Sequence, residues 1–401
     1  MSRSVLSFAV FIAVSVAVLG GMHGYLWVRL VRDPALPEPW RRIATVALVL
    51  LAFAVPLGML ALRLAPRPLA QLVPVIAFTW LGLAFLLFSA VLVLDAVRLA
   101  GQAAAWLAEW VRSQPEPPAD PDRRVFVARV VAGTATLATA GASAYAFRSA
   151  RGPAEVTEVP VKLERLPKAL SGLTIAQITD LHVGPTIGDR HVQRVVEQVN
   201  AIRPDVVAVT GDLVDGSVAQ LGAAISHLGN LRARHGVYFV TGNHEYYSGV
   251  VEWLAELRRL GVRVLRNERV TVGDGGASFD LAGVNDWGAR GLGGGYGPDL
   301  DRALAGRDPE RGLVLLAHQP RGVDEAVRAG VELQISGHTH GGQIAPFNLV
   351  VGAVYPYLKG LYPHAEGDRR GQIFVSRGTG YWGPPLRLGS PPEIAKIVLT
   401  T

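Results

Sequence analysis

Two histidines one residue apart, His338 and His340, close a series of polar residues that runs through the second half of this 401-residue chain. The series opens with Asp180 and His182. It continues through Gly211-Asp212 and Gly242-Asn243-His244-Glu245, then passes His318 before reaching Gly337-His338-Thr339-His340. Carboxylate and amide oxygens mixed with imidazoles suit Zn, Mn or Fe. The chain has no cysteine, which excludes a cysteine-based zinc centre and a thiol nucleophile. Asp180, His182, Asp212, Asn243, His318, His338 and His340 are candidate ligands, too many for one ion. Two ions ~3.5–4 Å apart that share a bridging carboxylate can polarise a phosphate and generate a hydroxide at neutral pH. The glycines before Asp212, Asn243 and His338 permit the sharp turns such crowding requires.

The elements that must hold these residues are legible as short apolar runs. Leu173 to Thr179, Val206 to Thr210, Val237 to Thr241, Leu313 to Ala317, Leu333 to Ser336 and Ile373 to Ser376 read as strands. Asp189 to Ile202 and Val250 to Leu260 read as helices between them. The pattern predicts a layered α/β arrangement in which each strand stops where a candidate ligand begins. Five segments then converge on one rim, the carboxyl ends of the strands.

The ordered series resembles the full set of blocks of the calcineurin-like metallophosphoesterases. Gly341-Gly342-Gln343-Ile344, the stretch Tyr357 to Tyr362, Ser376-Arg377-Gly378 and Pro384-Pro385-Leu386-Arg387 further resemble the YaeI-like and YkuE-like membrane-associated branch. The similarity covers about residues 160 to 400. It implies a β-sandwich flanked by helices, with one metal on Asp180, His182 and His340, the second on Asn243, His318 and His338, and Asp212 bridging. It also implies that His244 contacts the phosphate and protonates the leaving oxygen. Because that branch includes enzymes acting on lipid-linked phosphodiesters, the expected reaction is hydrolysis of a phosphodiester, lipid-linked or not, by metal-activated hydroxide. Phosphomonoester hydrolysis is the enzymatic alternative, and a non-catalytic metal-binding membrane sensor the other.

The first half has a different composition. Half of the whole chain is hydrophobic and its mean hydropathy is positive, which points to lipid contact. Ser4 to Val28, Ile43 to Leu62 and Pro68 to Leu94 contain no Asp, Glu, Lys or Arg, and each reaches the ~20 residues that cross a bilayer core. Val130 to Phe147, rich in Ala, Gly and Thr, is a weaker fourth span or an export-signal-like segment. An all-α transmembrane bundle of three to four helices is therefore expected over residues 1–150, then a polar linker over 151–159 and the metallophosphoesterase domain over 160–401. Gln114 to Asp122, with four prolines, reads as an extended loop before the last span.

Charge orients the bundle. Of 39 Lys and Arg and 33 Asp and Glu, residues 1–150 hold 13 and 7, leaving 26 of each. The basic excess thus belongs to the membrane half and predicts no nucleic-acid partner. Arginines concentrate between spans one and two and between three and four, which the positive-inside rule places in the cytoplasm. Four spans put the catalytic domain of this multi-pass cell-membrane protein outside the cytoplasm; three put it inside. Arg123-Arg124 reads either as inside-facing charge or as a twin-arginine export pattern.

Several further residues carry expectations. His23 and Asp95 read as interfacial, and the spans as lacking a buried acidic or basic pair, which argues against a transporter. His191, His227, His235 and His364 read as surface or loop residues, and Glu245 as a hydrogen-bonding support for a ligand histidine. Arg377 reads as a phosphate-steering group or an ordinary salt bridge. Asn285-Asp286-Trp287 form a polar-aromatic loop without an assigned role. Phe347 to Tyr362, with only Lys359 charged, either lies along a membrane surface or forms a buried hairpin.

Overall fold

The computed structural model describes residues 3–65, 67–112, 120–274 and 276–401. The chain separates into two compact units, Met1–Tyr145 and Ala146–Thr401.

The first unit is helical throughout its regular structure. Helix α1 (Arg3–Trp27) passes into a π turn at Val28–Arg32, and α2 (Trp40–Ala52) is followed by α3 (Ala54–Leu64). Then come α4 (Arg67–Arg112) and α5 (Pro121–Arg151). Three stretches are long and apolar enough to cross a membrane, Ala13–Arg32, Leu69–Val111 and Pro121–Arg151, and the bent pair α2–α3 would make a fourth. The expected span Ile43 to Leu62 is this pair, bent by 42°. Pro56 accounts for the break, because it has no N–H to bond the carbonyl of Ala52. Helix α4 continues well past Leu94 to Arg112, at ~1.5 Å per residue about 70 Å of helix. Its second part, from Ala96 onward, is dominated by Ala and Leu, which propagate a helix without an apolar face of their own. Most of the proline-rich loop expected over Gln114 to Asp122 lies outside the described residues; at its end, Asp120 Oδ1 accepts from the amides of Asp122 and Arg123 and caps α5.

Small residues let these helices approach closely. A Cβ on Gly58 would lie 2.7 Å from the Ala77 Cβ, so α3 and α4 meet almost backbone to backbone there. Met22 and Leu26 of α1 pack with Ala84 and Val91 of α4 and Ala135 of α5. One expectation fails in this unit. Asp95 is buried and ion-paired, with Arg29 Nε at 2.7 Å, Arg98 Nε at 3.6 Å and a hydrogen bond from the Tyr25 hydroxyl. His23 is buried as well, accepting from Trp80 Nε1 at 2.9 Å. Buried Asp95 therefore has a half-buried cationic partner where no such pair was expected, because residues 29 and 95 lie far apart in sequence and meet only when the π turn after α1 packs on α4.

The second unit is a sandwich of two six-stranded sheets. Its strands are β1 (Glu155–Lys162), β2 (Thr174–Ile178), β3 (Val206–Thr210), β4 (Val237–Val240), β5 (Arg263–Val264) and β6 (Glu268–Asp274). They continue with β7 (Ala277–Gly283), β8 (Leu313–Leu316), β9 (Leu333–Ser336), β10 (Gly360–Glu366), β11 (Arg369–Val375) and β12 (Glu393–Thr400). The first sheet has the order β1-β12-β2-β3-β4-β5 and the second β10-β11-β9-β8-β7-β6. The helices are α6 (Asp189–Ile202), α7 (Val218–Ile225), α8 (Asn243–Ser248), α9 (Val250–Arg259), α10 (Leu300–Leu304), α11 (Val323–Arg328) and α12 (Phe347–Val354).

Period-two patterning makes the layers. In β3, Val206 and Ala208 point between the sheets, where they meet Phe279, Leu281, Leu316 and Ile335. Val207 and Val209 point outward and are covered by Val195 and Val199 of α6 and Trp253 of α9. Helices α10 and α11 contribute Ala303 and Ala326 to the cover of the opposite sheet. Parallel strands buried on both faces read as continuous apolar runs, which is why β2, β3, β8 and β9 are legible in the sequence.

The expected linker over 151–159 is corrected. Helix α5 runs to Arg151, and from Glu155 the chain is already strand β1, paired in parallel with β12 from Glu155↔Glu393 to Lys162↔Thr400. Glu155, Glu158 and Lys162 stay exposed while Val159 and Val161 enter the core, so an edge strand with charges on its outer face looks polar in sequence. Pro160 is tolerated because β1 has a neighbour on one side only.

Candidate metal centre

The two sheets deliver their polar residues to one place. Asp180 and His182 follow β2, Asp212 follows β3, Asn243 follows β4, His318 follows β8, and His338 and His340 follow β9. Beneath them Gln177, buried in β2, donates to Thr210 Oγ1 at 2.7 Å and to the Ser336 carbonyl at 2.9 Å, which ties the first sheet to the second directly under the site. The turns are strained. Asp180, His182, Asp212, His338 and His340 all have positive φ, between 49° and 72°, a region that non-glycine residues rarely occupy. Gly242 is required between them, since a Cβ there would lie 2.2 Å from Asp212 Oδ1.

Asp212 is the hub. Its Oδ2 lies 3.1 Å from His318 Nε2, 3.8 Å from His182 Nε2 and 4.0 Å from His244 Nε2, and its Oδ1 accepts the His244 amide at 2.9 Å. To one side, His182 Nε2 and His340 Nε2 are 3.1 Å apart, with Asp180 Oδ1 3.5 Å from the latter. To the other, His338 Nδ1 is 3.2 Å from His318 Nε2, and the Asn243 Oδ1 is buried without a hydrogen-bond partner. Asp180, His182 and His340 form one group able to hold a cation, and Asp212, His318 and His338 another. Imidazole nitrogens that meet pairwise beside two carboxylates and an orphaned amide oxygen are what a dinuclear cation site requires of its donors, so the residues fit the group. Six of the seven sequence-predicted ligands come together in these groups, and the seventh, Asn243, precedes His244, whose amide donates to Asp212.

The electrostatics favour lone-pair donation by His338 and His340; at His318 burial opposes the charged form, but the charge and hydrogen bond of Asp212 hold its pKa well above the usual imidazole range. Burial, with help from the charges of Arg387 and His182, holds His340 well below the usual imidazole range, and burial takes His338 down to about 3. Both rings are therefore neutral donors at neutral pH. Burial raises the pKa of the Asp212 carboxyl, but the charge and hydrogen bond of His318 and the charges of His244 and His182 outweigh it and hold it well below the carboxylate range.

A model of the calcineurin-like phosphoesterase family matches residues 173–342. A protein of Bos taurus described as a transmembrane protein with metallophosphoesterase domain is 38% identical over 334 residues, covering 81% of this chain and 73% of that protein. The chain belongs to the calcineurin-like phosphoesterase family. An uncharacterized metallophosphoesterase of Helicobacter pylori is 41% identical over 246 residues, 61% of this chain and 64% of that protein. The uncharacterized metallophosphoesterase YkuE of Bacillus subtilis is 28% identical over 288 residues, 69% and 97% respectively.

Within this phosphoesterase, two residues support the ligands: Asp215, which the sequence does not single out, and Arg387, which it shows only as part of a family-like motif with no role. Asp215, three residues after Asp212, accepts from His244 Nδ1 at 2.6 Å and from His182 Nδ1 at 3.2 Å, so one carboxylate orients two rings. Burial alone would raise its pKa, yet the charges and hydrogen bonds of those two histidines hold it far below the carboxylate range. Reciprocally, burial opposes the charged form of His244, but the Asp215 hydrogen bond and the Asp212 and Asp215 charges push it up to about 9. Arg387, fully buried, donates to the carbonyls of His340, Arg377, Ser390, Gly378 and Gly380 and lies 3.2 Å from His340 Nδ1, fixing that loop behind the site.

Glu245 is a correction. It supports no histidine ring; its buried carboxylate accepts the backbone amides of Asp212, Leu213 and Gly242 at 2.7–3.0 Å and so locks two ligand-bearing turns together. Bonds of this kind to a charged group contribute about 1.5–3 kcal/mol each. Arg377 is an ion-pairing residue, 3.1 Å from Glu393 and 3.2 Å from Glu155. Asp286 holds the loop beside the site, accepting from the Gly288 amide at 2.7 Å and from Gln319 Nε2 at 3.0 Å. The other histidines lie outside the two groups. His227 pairs with Asp189, His235 lies near Asp274, His364 meets Tyr357 and Asp324, and His191 is only partly exposed.

Proposed function

We propose that this protein is a membrane-anchored, dinuclear metal-dependent phosphoesterase that hydrolyses a phosphodiester carried on a lipid. The observation that carries the reading is the convergence on Asp212 of ligand atoms from both sheets, with His244 beside them. Asp180, His182 and His340 would hold one ion and Asn243, His318 and His338 the other, with Asp212 shared. Two divalent ions, manganese, zinc or iron, supply Lewis acidity toward the phosphoryl oxygens and lower the pKa of the attacking water.

The chain's own residues do the remaining work. Asp215 fixes the His244 ring and keeps it charged, so its Nε2–H can donate to a phosphoryl oxygen and then to the departing alkoxide. Asp215 also turns His182 so that Nε2 faces the cluster. Glu245 holds the turns of Asp212 and Asn243 at fixed separation. Residues 1–150 would serve as the multi-pass anchor in the cell membrane and 160–401 as the catalytic domain. Four spans, with the arginine-rich segments inside, would face that domain away from the cytoplasm. The candidate spans and the transmembrane description of the Bos taurus relative support the anchor. Resemblance to a branch acting on lipid-linked phosphodiesters supports the substrate class.

The test is hydrolysis of bis(p-nitrophenyl) phosphate and p-nitrophenyl phosphate by the full-length protein in detergent, stripped of metal and restored with manganese or zinc. Metal-dependent cleavage of the diester is the expected result. Preference for the monoester would make it a phosphatase, and a folded, metal-loaded protein inert to both and to phospholipid diesters would overturn hydrolysis altogether.

A further inference from the structure

The segment that follows the last candidate ligands exposes its apolar side chains. Helix α12 contains Leu349, Val350 and Val354 at 72%, 57% and 63% exposure, has no buried residue and carries no charge. Its position is fixed by the site. Tyr355, the residue after the helix, lies 2.9 Å through its hydroxyl from His338 Nε2. Before the helix, Gln343 donates to the Trp382 carbonyl and accepts the Trp382 amide, both at 2.9 Å. Trp382 is itself 56% exposed, its ring 6.1 Å from that of His244, and Tyr247, 76% exposed, lies 5.4 Å from His244 on another element. Exposed apolar and aromatic groups from three separate segments thus surround the same cluster.

Water is a poor neighbour for such a surface. An uncharged exposed helix, polar only at Asn348, beside exposed Trp and Tyr has the composition of an element seated at a lipid interface, with aliphatic groups reaching into the acyl boundary and aromatic rings at headgroup level. A bilayer is also within covalent reach. The last candidate span, Pro121–Arg151, ends inside the second unit, where Ala150 joins the core and the Ala146 carbonyl accepts the Arg387 amide, so no linker separates that helix from the phosphoesterase fold.

We propose that α12, with Trp382 and Tyr247, docks into the headgroup layer of the bilayer that the chain's own helices enter, so that the His244 side of the metal cluster opens onto the membrane surface. This rests on the membrane-anchored reading above and adds a second point of contact. A phosphodiester in a lipid headgroup would then reach His244 without leaving the bilayer.

The absence of cysteine makes the test direct. Full-length protein carrying Val350→Cys, Leu349→Cys, Leu92→Cys or Glu310→Cys is labelled with bimane and reconstituted in phosphatidylcholine–phosphatidylglycerol vesicles containing doxyl-labelled lipid. Leu92, in α4, reports whether the first unit lies in lipid, and Glu310, exposed on the second unit, reports background. The expected result is quenching at 349 and 350 by shallow doxyl groups about fivefold above that at 310, as for a helix buried ~5–10 Å into the interface. Quenching at 92 with 349 and 350 at background overturns the docking and leaves the anchor intact. No quenching at 92 overturns both. Quenching at 349 and 350 that instead tracks protein concentration, without doxyl lipid, assigns the surface to a second copy of the chain. The readout is position, so it stands or falls separately from hydrolysis.

Discussion

Each unit of this protein buries a set of ionisable side chains where its elements meet, and the two sets are opposites. In the helical unit, Asp95 faces two arginines and a tyrosine hydroxyl, so its oxygens are met by donors. In the phosphoesterase unit, Asp180 and Asp212 sit among imidazole nitrogens that approach one another at 3.1 and 3.2 Å, and the Asn243 oxygen has no partner. The first set is closed on itself and works as a clamp between α1 and α4. The second brings together side chains that could hold a cation. Burial of charge alone does not mark a reactive site; surplus lone pairs do.

The sharpest way to break this contrast is Asp212→Asn. It removes the carboxylate that both ligand groups share, and turnover is expected to fall by more than the roughly 10³-fold that loss of a single transition-state donor costs. Metal content by plasma emission should fall with it while the circular dichroism spectrum stays native. Full activity in this variant would dissolve the distinction. His244→Ala should keep both ions and lose roughly 10²–10⁴-fold in kcat, most for poor leaving groups, because a general acid matters most when the alkoxide is basic. An equal loss for p-nitrophenol and for an aliphatic alcohol would remove His244 from that role.

Asp215→Asn should cost roughly 10–100-fold, split between metal affinity through His182 and rate through His244. Metal titration and kcat measured at saturating metal separate the two parts. The smallest effect belongs to the closed set. Asp95→Ala should lower the thermal stability of the protein in micelles by about 1–2 kcal/mol, the scale of polar contacts between membrane helices. It should leave metal content and kcat unchanged; a loss of metal in this variant would show that the two sets are not independent.

The sequence made the second set readable because its members end apolar runs. Asp180, Asp212, Asn243, His318 and His338 each follow a strand whose β-branched residues announce it, and glycine marks three of the turns. What supports them was harder to see. Asp215 is one carboxylate among 33 acidic residues, and nothing about its spacing reveals that two rings separated by 62 residues will point at it. The partners of Glu245 are hidden because the donors to its carboxylate are backbone amides, which nearly every residue carries and no sequence displays. Strand β1 was taken for a connector because its exposed face is charged, and the Arg29–Asp95 pair was missed because helix packing brings it together.

Strand β12 has a consequence for the order of events during synthesis. It lies between β1 and β2 and pairs with both, so the strand made last fills a slot inside the first sheet. Residues 155 and 393 must wait for one another across most of the unit. While the ribosome is still translating, β2 presents an open edge, and the hydrophobic residues of both sheets lack their full cover. The helical unit has by then emerged and can enter the bilayer. A nascent chain whose helices enter a bilayer would thus be anchored before its phosphoesterase unit can close, and chaperone or protease access to that unit would be decided in the interval.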